Sequence, residues 1–194
     1  KINPKIILCE ISGYGRTGPY SDKGGFDLVA QGMSGLMSIT GEDKNKPPMK
    51  VGAPLTDITA GLLAASGILA ALIHRNKTGE GQKVDTSLYE AGIVHTYWQS
   101  AIAGATGISP GPLGSAHPLT APYQAFKTKD KWITVGASNQ NTWLMLLKAI
   151  DREDLNNNEK FSSNSSRKKN LNELVEILNE ELIKKTSKEW LKIF

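Results

Sequence analysis

A run of small and apolar residues in the first half of the chain constrains the fold more than any other feature. Residues 62–73 read LLAASGILAALI, which is apolar on nearly every side of a helix. We therefore expect a helix that is buried against its neighbours all round. Residues 51–61 lead into this run, and they contain a single acidic residue, Asp57.

Asp57 has two interpretations. An aspartate just before a helix commonly caps it, because its carboxylate accepts hydrogen bonds from the free N–H groups of the first turn. The same amides, at the positive end of the helix dipole, could instead hold Asp57 as a nucleophile in a nearly dry place. The local sequence taken alone favours the cap.

Length and charge limit the classes of protein to consider. A chain of 194 residues can form one domain, or one and a half. Its net charge of +4 is spread along the sequence, and the basic cluster at 167–169 is short. This pattern differs from the basic stripe of nucleic-acid-binding proteins. We expect no nucleic-acid partner, and we assign the cluster to a solvated loop and helix start.

The single cysteine and the apolar segments bear on location. Cys9 alone excludes an internal disulfide and fits a reducing compartment, where a small buried core residue is its simplest role. No segment has the pattern of a signal peptide, and the longest apolar stretch is judged too short and too rich in Gly and Ala to cross a bilayer. We therefore expect no membrane partner and a cytoplasmic location, or the mitochondrial matrix in a eukaryote.

The order of predicted elements indicates an α/β protein. A buried strand at 5–11, a helix at 26–37, the long apolar helix, a strand at 82–86 and a helix from 88 to about 105 predict an α/β layer. Residues 105–122 are rich in Gly and Pro and predict a linker. Beyond it we expect paired strands at 123–126 and 132–136, helices at 141–150 and 169–184, and a polar loop at 151–164.

Other catalytic constellations are absent from the sequence. The loop at 12–19 lacks both the ending of a P-loop and the spacing of a dinucleotide fingerprint. His74, His95 and His117 have no metal-ligand spacing, so we expect no metal, and there is no serine elbow or Cys–His pair. If the chain is an enzyme, a carboxylate has to perform the chemistry.

Six ordered blocks carry a resemblance to a known family. They are GYGRTGPY at 13–20, GFDLVAQGMSGLM at 25–37, TGE at 40–42, VGAPLTD at 51–57, GILAAL at 67–72 and KTGEGQ at 77–82. Together they resemble the class III coenzyme A transferases, the CaiB/BaiF type, a family that includes formyl-CoA transferase and the 2-methylacyl-CoA racemases. A weaker match continues through 116–130, where APYQAFKTKD at 121–130 looks most similar to transferases acting on succinyl-CoA and dicarboxylic acids.

The resemblance implies roles for five residues. Asp57 would be the nucleophile, and the bound coenzyme would lie along Gly24, Gly25, Phe26 and Asp27. Coenzyme A would be present as the thioester substrate, with no permanently bound cofactor. The reaction would move coenzyme A from an acyl-CoA, with succinyl-CoA as the candidate donor, to a carboxylic acid through an aspartyl anhydride and an aspartyl-CoA thioester. Backbone amides following Asp57 are the expected oxyanion donors.

The resemblance also implies an architecture. Residues 1–104 would form part of a large Rossmann-like domain, 105–122 a linker, and 123–194 the first part of a small α+β domain. The family assembles as an interlocked homodimer. Because both ends of the chain interrupt predicted elements, we expect an internal part of a longer protein, inactive when isolated.

A possible lid lies in the linker. Formyl-CoA transferases open their small domain with a run of glycines that closes over the site, whereas residues 115–121 here read SAHPLTA. A loop containing proline moves less freely, which disfavours that lid and formate or oxalate as substrates. His117, Pro118 and Leu119 are the candidate lid residues.

Two alternatives remain open. The racemases of the family have a histidine where this chain has Phe26, and phenylalanine cannot take the α-proton. A non-catalytic CoA-binding subunit is the other alternative, and the presence of Asp57 argues against it, because a binding protein has no use for a carboxylate beside a thioester.

Overall fold

The computed structural model describes residues 3–194 and contains two compact units, of which the first ends at Pro112 and the second is Leu113–Phe194. The elements of the first unit are β1 (Leu8–Ser12), α1 (Asp27–Met33), a 3-10 turn (Met37–Ile39), α2 (Leu55–Thr78), β2 (Lys83–Ser87), α3 (Leu88–Val94) and α4 (Tyr97–Thr106). Those of the second are β3 (Tyr123–Lys127), β4 (Trp132–Gly136), α5 (Gln140–Ala149), a 3-10 turn (Glu153–Asn157), α6 (Asn164–Lys169), α7 (Leu171–Leu182) and α8 (Ser187–Ile193). The mixed α/β class expected from the sequence is confirmed.

The sheet of the first unit is a parallel pair. Leu8 of β1 lies opposite Lys83 of β2, and the register runs on to Ser12 opposite Ser87. The long connection between them contains α2, which contacts both strands, as a parallel crossover requires. The expectation that β1 is buried is wrong within residues 3–194, where Leu8 and Ile11 are about half exposed (50% and 48%). Two strands and the helices described here cover only part of such a sheet.

Small residues bring α2 close to this sheet. A Cβ added at Gly67 would lie 2.6 Å from Cγ1 of Val84, so only glycine permits this distance between helix and strand. The buried apolar residues of α2 are all alanines: Ala60, Ala64 and Ala71. The close approach of the two backbones therefore replaces a layer of large side chains on this face of the helix.

The opposite face of α2 is uncovered in this chain. Leu62 and Leu69 are 64% and 61% exposed, and Ile73 is exposed as well. The prediction of a helix buried all round is therefore wrong for residues 3–194, which cover only the alanine face. Apolar side chains of this size normally lie against another surface.

The length of α2 corrects a second expectation. The helix extends through polar ends to 24 residues, so the statement that no apolar stretch is long enough to cross a bilayer is wrong. By length and composition α2 is the one helix in the described part of the chain that could do so. Core helices of water-soluble proteins meet the same criteria. The predicted stop after α2 is confirmed, because Gly79 adopts a left-handed conformation (φ 79°) and its N–H donates to the Arg75 carbonyl.

The predicted helix from 88 to about 105 is interrupted. The hydroxyl of Thr96 donates to the Ile93 carbonyl (2.8 Å) and bonds to the Ser100 hydroxyl (2.7 Å). Such local bonds compete with the helical ladder, and the chain forms α3 and α4 instead of one helix. At the break, Nε2 of His95 bonds to the Thr59 hydroxyl of α2 (2.7 Å), which fixes α3 to the long helix.

The second unit has a core of its own. Strands β3 and β4 pair antiparallel, as predicted, with Tyr123 opposite Gly136. Large apolar side chains from the hairpin and the helices form one buried cluster, which includes Phe126, Trp143, Leu147, Phe161, Leu174, Leu178 and Trp190. In the described part of the first unit, by contrast, the buried apolar side chains are five alanines and Leu36. Only the second unit therefore has a core of large side chains.

Arg167 corrects the expectation of a solvated basic cluster. It is fully buried at the end of α6, a helix that follows the segment predicted as a polar loop. Its guanidinium donates to the carbonyls of Ala121 (2.7 Å) and Phe161 (2.9 Å) and lies 4.7 Å from the ring centroid of Trp143. Burial lowers the pKa of this group. Arg167 therefore connects three segments of the second unit through hydrogen bonds and ring stacking.

Asp130 gives the second unit a testable acid sensitivity. Its carboxylate accepts hydrogen bonds from the Ser187 N–H at the start of α8 (2.7 Å) and from the Thr128 hydroxyl (3.0 Å). The bond from the Ser187 amide, first among these contacts, holds the pKa of Asp130 below its ordinary value. The stabilisation is therefore present above the unfolded-state pKa of about 3.9 and is lost as the pH falls through the lower folded-state pKa.

We expect Asp130→Asn to lower the thermal midpoint of the chain at about pH 6, with the difference from wild type disappearing at about pH 2.5. The measurement is thermal unfolding followed by tryptophan fluorescence across this range. Glu159→Gln, which removes an exposed charge from the same unit, is the matched control and should leave the profile unchanged. A difference for Asp130→Asn that is constant with pH would contradict this account.

Candidate active site

The start of α2 shows that Asp57 is not a helix cap. Pro54 occupies the N-cap position and offers no side-chain hydrogen bond, and Leu55 is the first helical residue. The Ile58 N–H already donates to the Pro54 carbonyl (3.1 Å). Asp57 is thus the third residue inside the helix, and the capping interpretation is wrong because the helix begins earlier than the apolar run suggested.

A carboxylate from another helix supplies the cap. Asp27, the first residue of α1, accepts hydrogen bonds at Oδ1 from the Thr56 N–H (3.0 Å) and from the Thr56 hydroxyl (2.8 Å). Thr56 itself is fully buried. The N-terminus of α2 therefore receives its negative charge from Asp27. The Asp57 carboxylate is not needed for this purpose.

The Asp57 carboxylate is exposed and unengaged. Within residues 3–194, no group lies within hydrogen-bonding or ion-pair distance of it. It stands in the first turn of α2, where the helix dipole favours an anion. The nearly dry surroundings expected for a nucleophile are not supplied by the described residues. Exclusion of water would therefore require a further surface or the bound substrate.

The expected oxyanion donors are also corrected. The amides that follow Asp57 belong to the helical ladder, and the Ile58 N–H, the first of them, is occupied by the Pro54 carbonyl. The N–H of Asp57 itself has no acceptor among the described residues. The amide of the first turn that is open to a ligand is therefore that of Asp57.

A buried glutamine connects α1 to the segment that precedes α2. Gln31 is fully buried, and its Oε1 accepts a hydrogen bond from the Val51 N–H (2.8 Å). Its Nε2 donates to Oδ2 of Asp27 (2.8 Å) and lies 3.5 Å from the Ala53 carbonyl. Sequence reasoning did not identify this contact. Two signals could have indicated it, namely an amide within an otherwise small and apolar helix and a proline at the N-cap of α2.

Two glycines bring the loop after β1 against the start of α1. A Cβ added at Gly25 would lie 2.6 Å from the Cα of Gly13, and one added at Gly13 would lie 2.7 Å from the Gly25 nitrogen. The Gly13 carbonyl accepts a hydrogen bond from the Tyr89 N–H of α3 (3.0 Å). The glycine-rich loop is thereby fixed to both helices. Gly24, by contrast, has open space around the position of a Cβ.

The structure brings together four of the candidate residues. Gly24 and Gly25 precede α1, Phe26 is its N-cap and 77% exposed, and Asp27 reaches the residue before Asp57. The start of α1 is therefore beside the start of α2. Contact of these residues with a coenzyme stays a prediction.

The candidate lid residues lie in the second unit. Nδ1 of His117 accepts hydrogen bonds from the backbone N–H groups of Leu119 (3.0 Å) and Thr120 (3.2 Å), so this nitrogen carries no proton. The ring holds a turn that contains Pro118. A role of His117, Pro118 and Leu119 toward substrate stays a prediction. In the part of the chain that the structure describes, no group of three or more His, Cys, Asp or Glu side chains could hold a metal ion.

Comparison with known proteins defines the class. The family model of CoA-transferase family III matches residues 1–194, and the chain belongs to this family. A crystal structure of a CaiB/BaiF family protein from Brucella suis superposes with a TM-score of 0.80 at 35% sequence identity, over 98% of this chain and 50% of that one. The resemblance seen in the sequence blocks is confirmed.

The curated relatives include enzymes with different acid substrates. The chain is 39% identical over 194 residues to the succinyl-CoA:glutarate CoA-transferase of Homo sapiens, covering 100% of this chain and 44% of that protein. It is 31% identical over 193 residues to the acetyl-CoA:oxalate CoA-transferase of Acetobacter aceti, covering 100% of this chain and 50% of that protein. The chain therefore spans about half the length of the relatives that it matches.

The glycine contact generates a stability prediction. We expect Gly25→Ala to destabilise the chain by about 1–3 kcal/mol, because its Cβ would collide with backbone atoms of Gly13 that cannot move as a side chain can. Gly24→Ala, one residue earlier and unobstructed, should change stability by less than about 0.5 kcal/mol. Urea unfolding of both variants measures the difference. Equal losses would show that the Gly13–Gly25 contact is not limiting.

Proposed function

We propose that this chain carries the nucleophile of a class III CoA-transferase, and that Asp57 is that nucleophile. The observation that supports it best is the division of labour at the start of α2, where Asp27 caps the helix and the exposed Asp57 carboxylate has no internal partner. Membership of CoA-transferase family III supports transfer of coenzyme A in general. The particular mechanism and acids are our proposal.

The proposed reaction proceeds through covalent intermediates on Asp57. The carboxylate attacks the acyl carbon of the donor thioester, forming an aspartyl–acyl anhydride and releasing the CoA thiolate. The thiolate then attacks the Asp57 carbonyl carbon, giving an aspartyl-CoA thioester and the free donor carboxylate. The acceptor carboxylate displaces the thiolate to form a second anhydride, and the thiolate attacks its acyl carbon to give the new acyl-CoA and free Asp57. These steps divide one difficult exchange into smaller ones.

The first turn of α2 provides electrostatic support for these steps. The helix dipole stabilises negative charge near Asp57, and the open N–H of Asp57 is a candidate donor to a tetrahedral oxyanion. The anhydride and the thioester both hydrolyse, so water has to be excluded during the reaction. Because Asp57 is exposed in this chain, we propose that the bound acyl-CoA and a second subunit complete the enclosure.

We propose that the coenzyme lies along Gly24, Gly25, Phe26 and Asp27, with His117, Pro118 and Leu119 near the acid substrate. The open backbone at Gly24 and the exposed ring of Phe26 support the first part of this assignment. For the acids, succinyl-CoA and a dicarboxylate are preferred. The similarity of residues 121–130 and the relative named for succinyl-CoA and glutarate support this choice. The relative named for oxalate keeps a shorter dicarboxylate possible.

The proposed architecture follows the family resemblance. Residues 1–104 would belong to a Rossmann-like large domain, residues 123–194 would begin a small domain after the linker 105–122, and the protein would be a cytoplasmic homodimer. The first unit supports the need for a partner surface, because its described interior contains alanines and a single leucine. Its large apolar side chains are exposed, among them Phe26, Leu62, Leu69, Tyr97 and Ile108.

Two alternative functions remain distinguishable. A 2-methylacyl-CoA racemase would need a base at position 26, where the exposed phenylalanine cannot take a proton. A CoA-binding subunit without catalysis would bind acyl-CoA and leave Asp57 unmodified. The transferase is favoured over both because it uses the unengaged carboxylate directly.

Trapping of the covalent intermediate tests the proposal. We expect the full-length protein, incubated with succinyl-CoA and then hydroxylamine, to carry a hydroxamate on the peptide that contains Asp57, as detected by mass spectrometry. Asp57→Ala should show no such product and should lose transfer activity by a factor of about 1,000 or more, because the intermediates cannot form. Asp43→Asn, which removes an exposed carboxylate of the same unit, serves as the control and should retain both.

Each other outcome identifies an alternative. Absence of the hydroxamate with a panel of acyl-CoA donors would remove Asp57 as nucleophile. Incorporation of solvent deuterium at the α-carbon of an acyl-CoA would then indicate a racemase. Binding of acyl-CoA without any chemical change would indicate a binding subunit.

A further inference from the structure

We infer that Gln31 and Asp27 act together as positioning residues, and that their hydrogen-bonded pair holds the Val51, Ala53 and Thr56 backbone so that the Asp57 carboxylate is placed for reaction. The inference rests on the proposed function of Asp57. It gives Gln31 a role that neither the sequence blocks nor the family membership assigns. The pair consists of side chains one helical turn apart on α1, and its contacts all lead to the segment before Asp57.

The geometry of the pair is complete. Gln31 bonds to the Val51 N–H at one end and to Oδ2 of Asp27 at the other, and its Nε2 also lies 3.5 Å from the Ala53 carbonyl. The other oxygen of Asp27, Oδ1, accepts two bonds from Thr56. Three points on a six-residue segment are thereby held by two side chains.

Burial makes this arrangement rigid. Gln31 and Thr56 have no exposed surface, so a donor or acceptor that loses its partner there is left without water. Leaving a buried polar group unpaired is costly, whereas a satisfied one favours a single arrangement. The position of the Thr56 backbone is thus set by the pair, and Asp57 follows Thr56 directly in the chain.

Placement of a nucleophile has a large effect on rate. A displacement of about 1 Å can reduce a reaction rate by about 100-fold, because the reacting atoms no longer meet in the correct geometry. Asp57 has no hydrogen bond of its own within residues 3–194 that would fix its side chain. Its location therefore depends on the backbone of the first turn, and that backbone depends on Asp27 and Gln31.

The inference also changes the role of Asp27. Both of its oxygens accept hydrogen bonds from the protein, one from Thr56 and the other from Gln31. If the pair positions the backbone, its hydrogen-bonding pattern is needed and the location of its charge is not. If Asp27 instead acts directly on the coenzyme or on the reacting acyl group, the charge has to stay at position 27. An exchange of the two functional groups distinguishes these cases.

The exchange uses three variants of the full-length protein. In Asp27→Asn an amide nitrogen faces Nε2 of Gln31, and in Gln31→Glu a carboxylate faces that of Asp27, so each single change opposes like groups. In the double variant Asp27→Asn/Gln31→Glu, the asparagine nitrogen donates to the glutamate. The glutamate still accepts from Val51, and the asparagine oxygen still accepts from Thr56.

We expect each single variant to lower kcat for CoA transfer by about 10- to 100-fold, with KM for succinyl-CoA within about threefold of wild type. The double variant should recover to within about fivefold of the wild-type kcat. Asp43→Asn, an exposed change of the same chemical kind, should leave both constants unchanged. Single variants with a wild-type kcat, or a double variant no better than the worse single, would overturn the positioning role.

Hydrogen–deuterium exchange provides a readout that does not depend on activity. We expect faster exchange in peptides covering residues 51–56 for both single variants, and restored protection in the double variant. Unchanged exchange in the single variants would overturn the inference even if the wild type transfers CoA. Conversely, a wild type without transfer or hydroxamate would reject the proposed function, while the exchange pattern would still show whether the pair holds the segment.

A milder variant covers the case in which the single variants do not fold. Thr56→Val keeps the volume and the backbone N–H but removes the hydroxyl that donates to Asp27. We expect a severalfold lower kcat, with KM within about threefold, and increased exchange at residues 51–56. No change in either measurement would contradict the inference.

Discussion

The arrangement of the first unit depends on the hydrogen bonds that Asp27 of α1 accepts from Thr56 of α2. A helix that begins after a proline N-cap has amides that need an acceptor, and a carboxylate from a neighbouring helix satisfies one of them and complements the dipole. Because this acceptor comes from α1, Asp57 remains outside the capping interaction. The same contact sets α1 beside the start of α2, and so brings the candidate coenzyme residues next to the candidate nucleophile.

The first unit is built by close approach of backbones. Gly25 contacts Gly13, Gly67 contacts Val84, and Gly92 lies against Ser34 with no room for a Cβ. Helices joined in this way bury alanines and leave their larger apolar residues on the outside. Such a surface is stable only when another surface covers it. The proposed active site is therefore tied to assembly, since the covering surface would also keep water from Asp57.

The second unit follows the opposite rule. Its core is made of aromatic and leucine side chains, and a buried arginine takes part in it by donating to backbone carbonyls and stacking on Trp143. A core of this kind stabilises a unit from within. The two units thus differ in where their stability originates, although they belong to one chain.

The sequence by itself determined the family, through the ordered blocks around Asp57, and most of the elements, because strand pairing at 123–136 and the stop at Gly79 depend on local patterns. It did not determine the helix cap, the burial of Arg167 or the exposed face of α2. Asp27 and Thr56 are 29 positions apart, and Arg167 and Ala121 are 46 apart. Contacts between distant positions leave no periodic signal in one sequence, so only the tertiary structure decided which carboxylate caps the helix and which is left for chemistry.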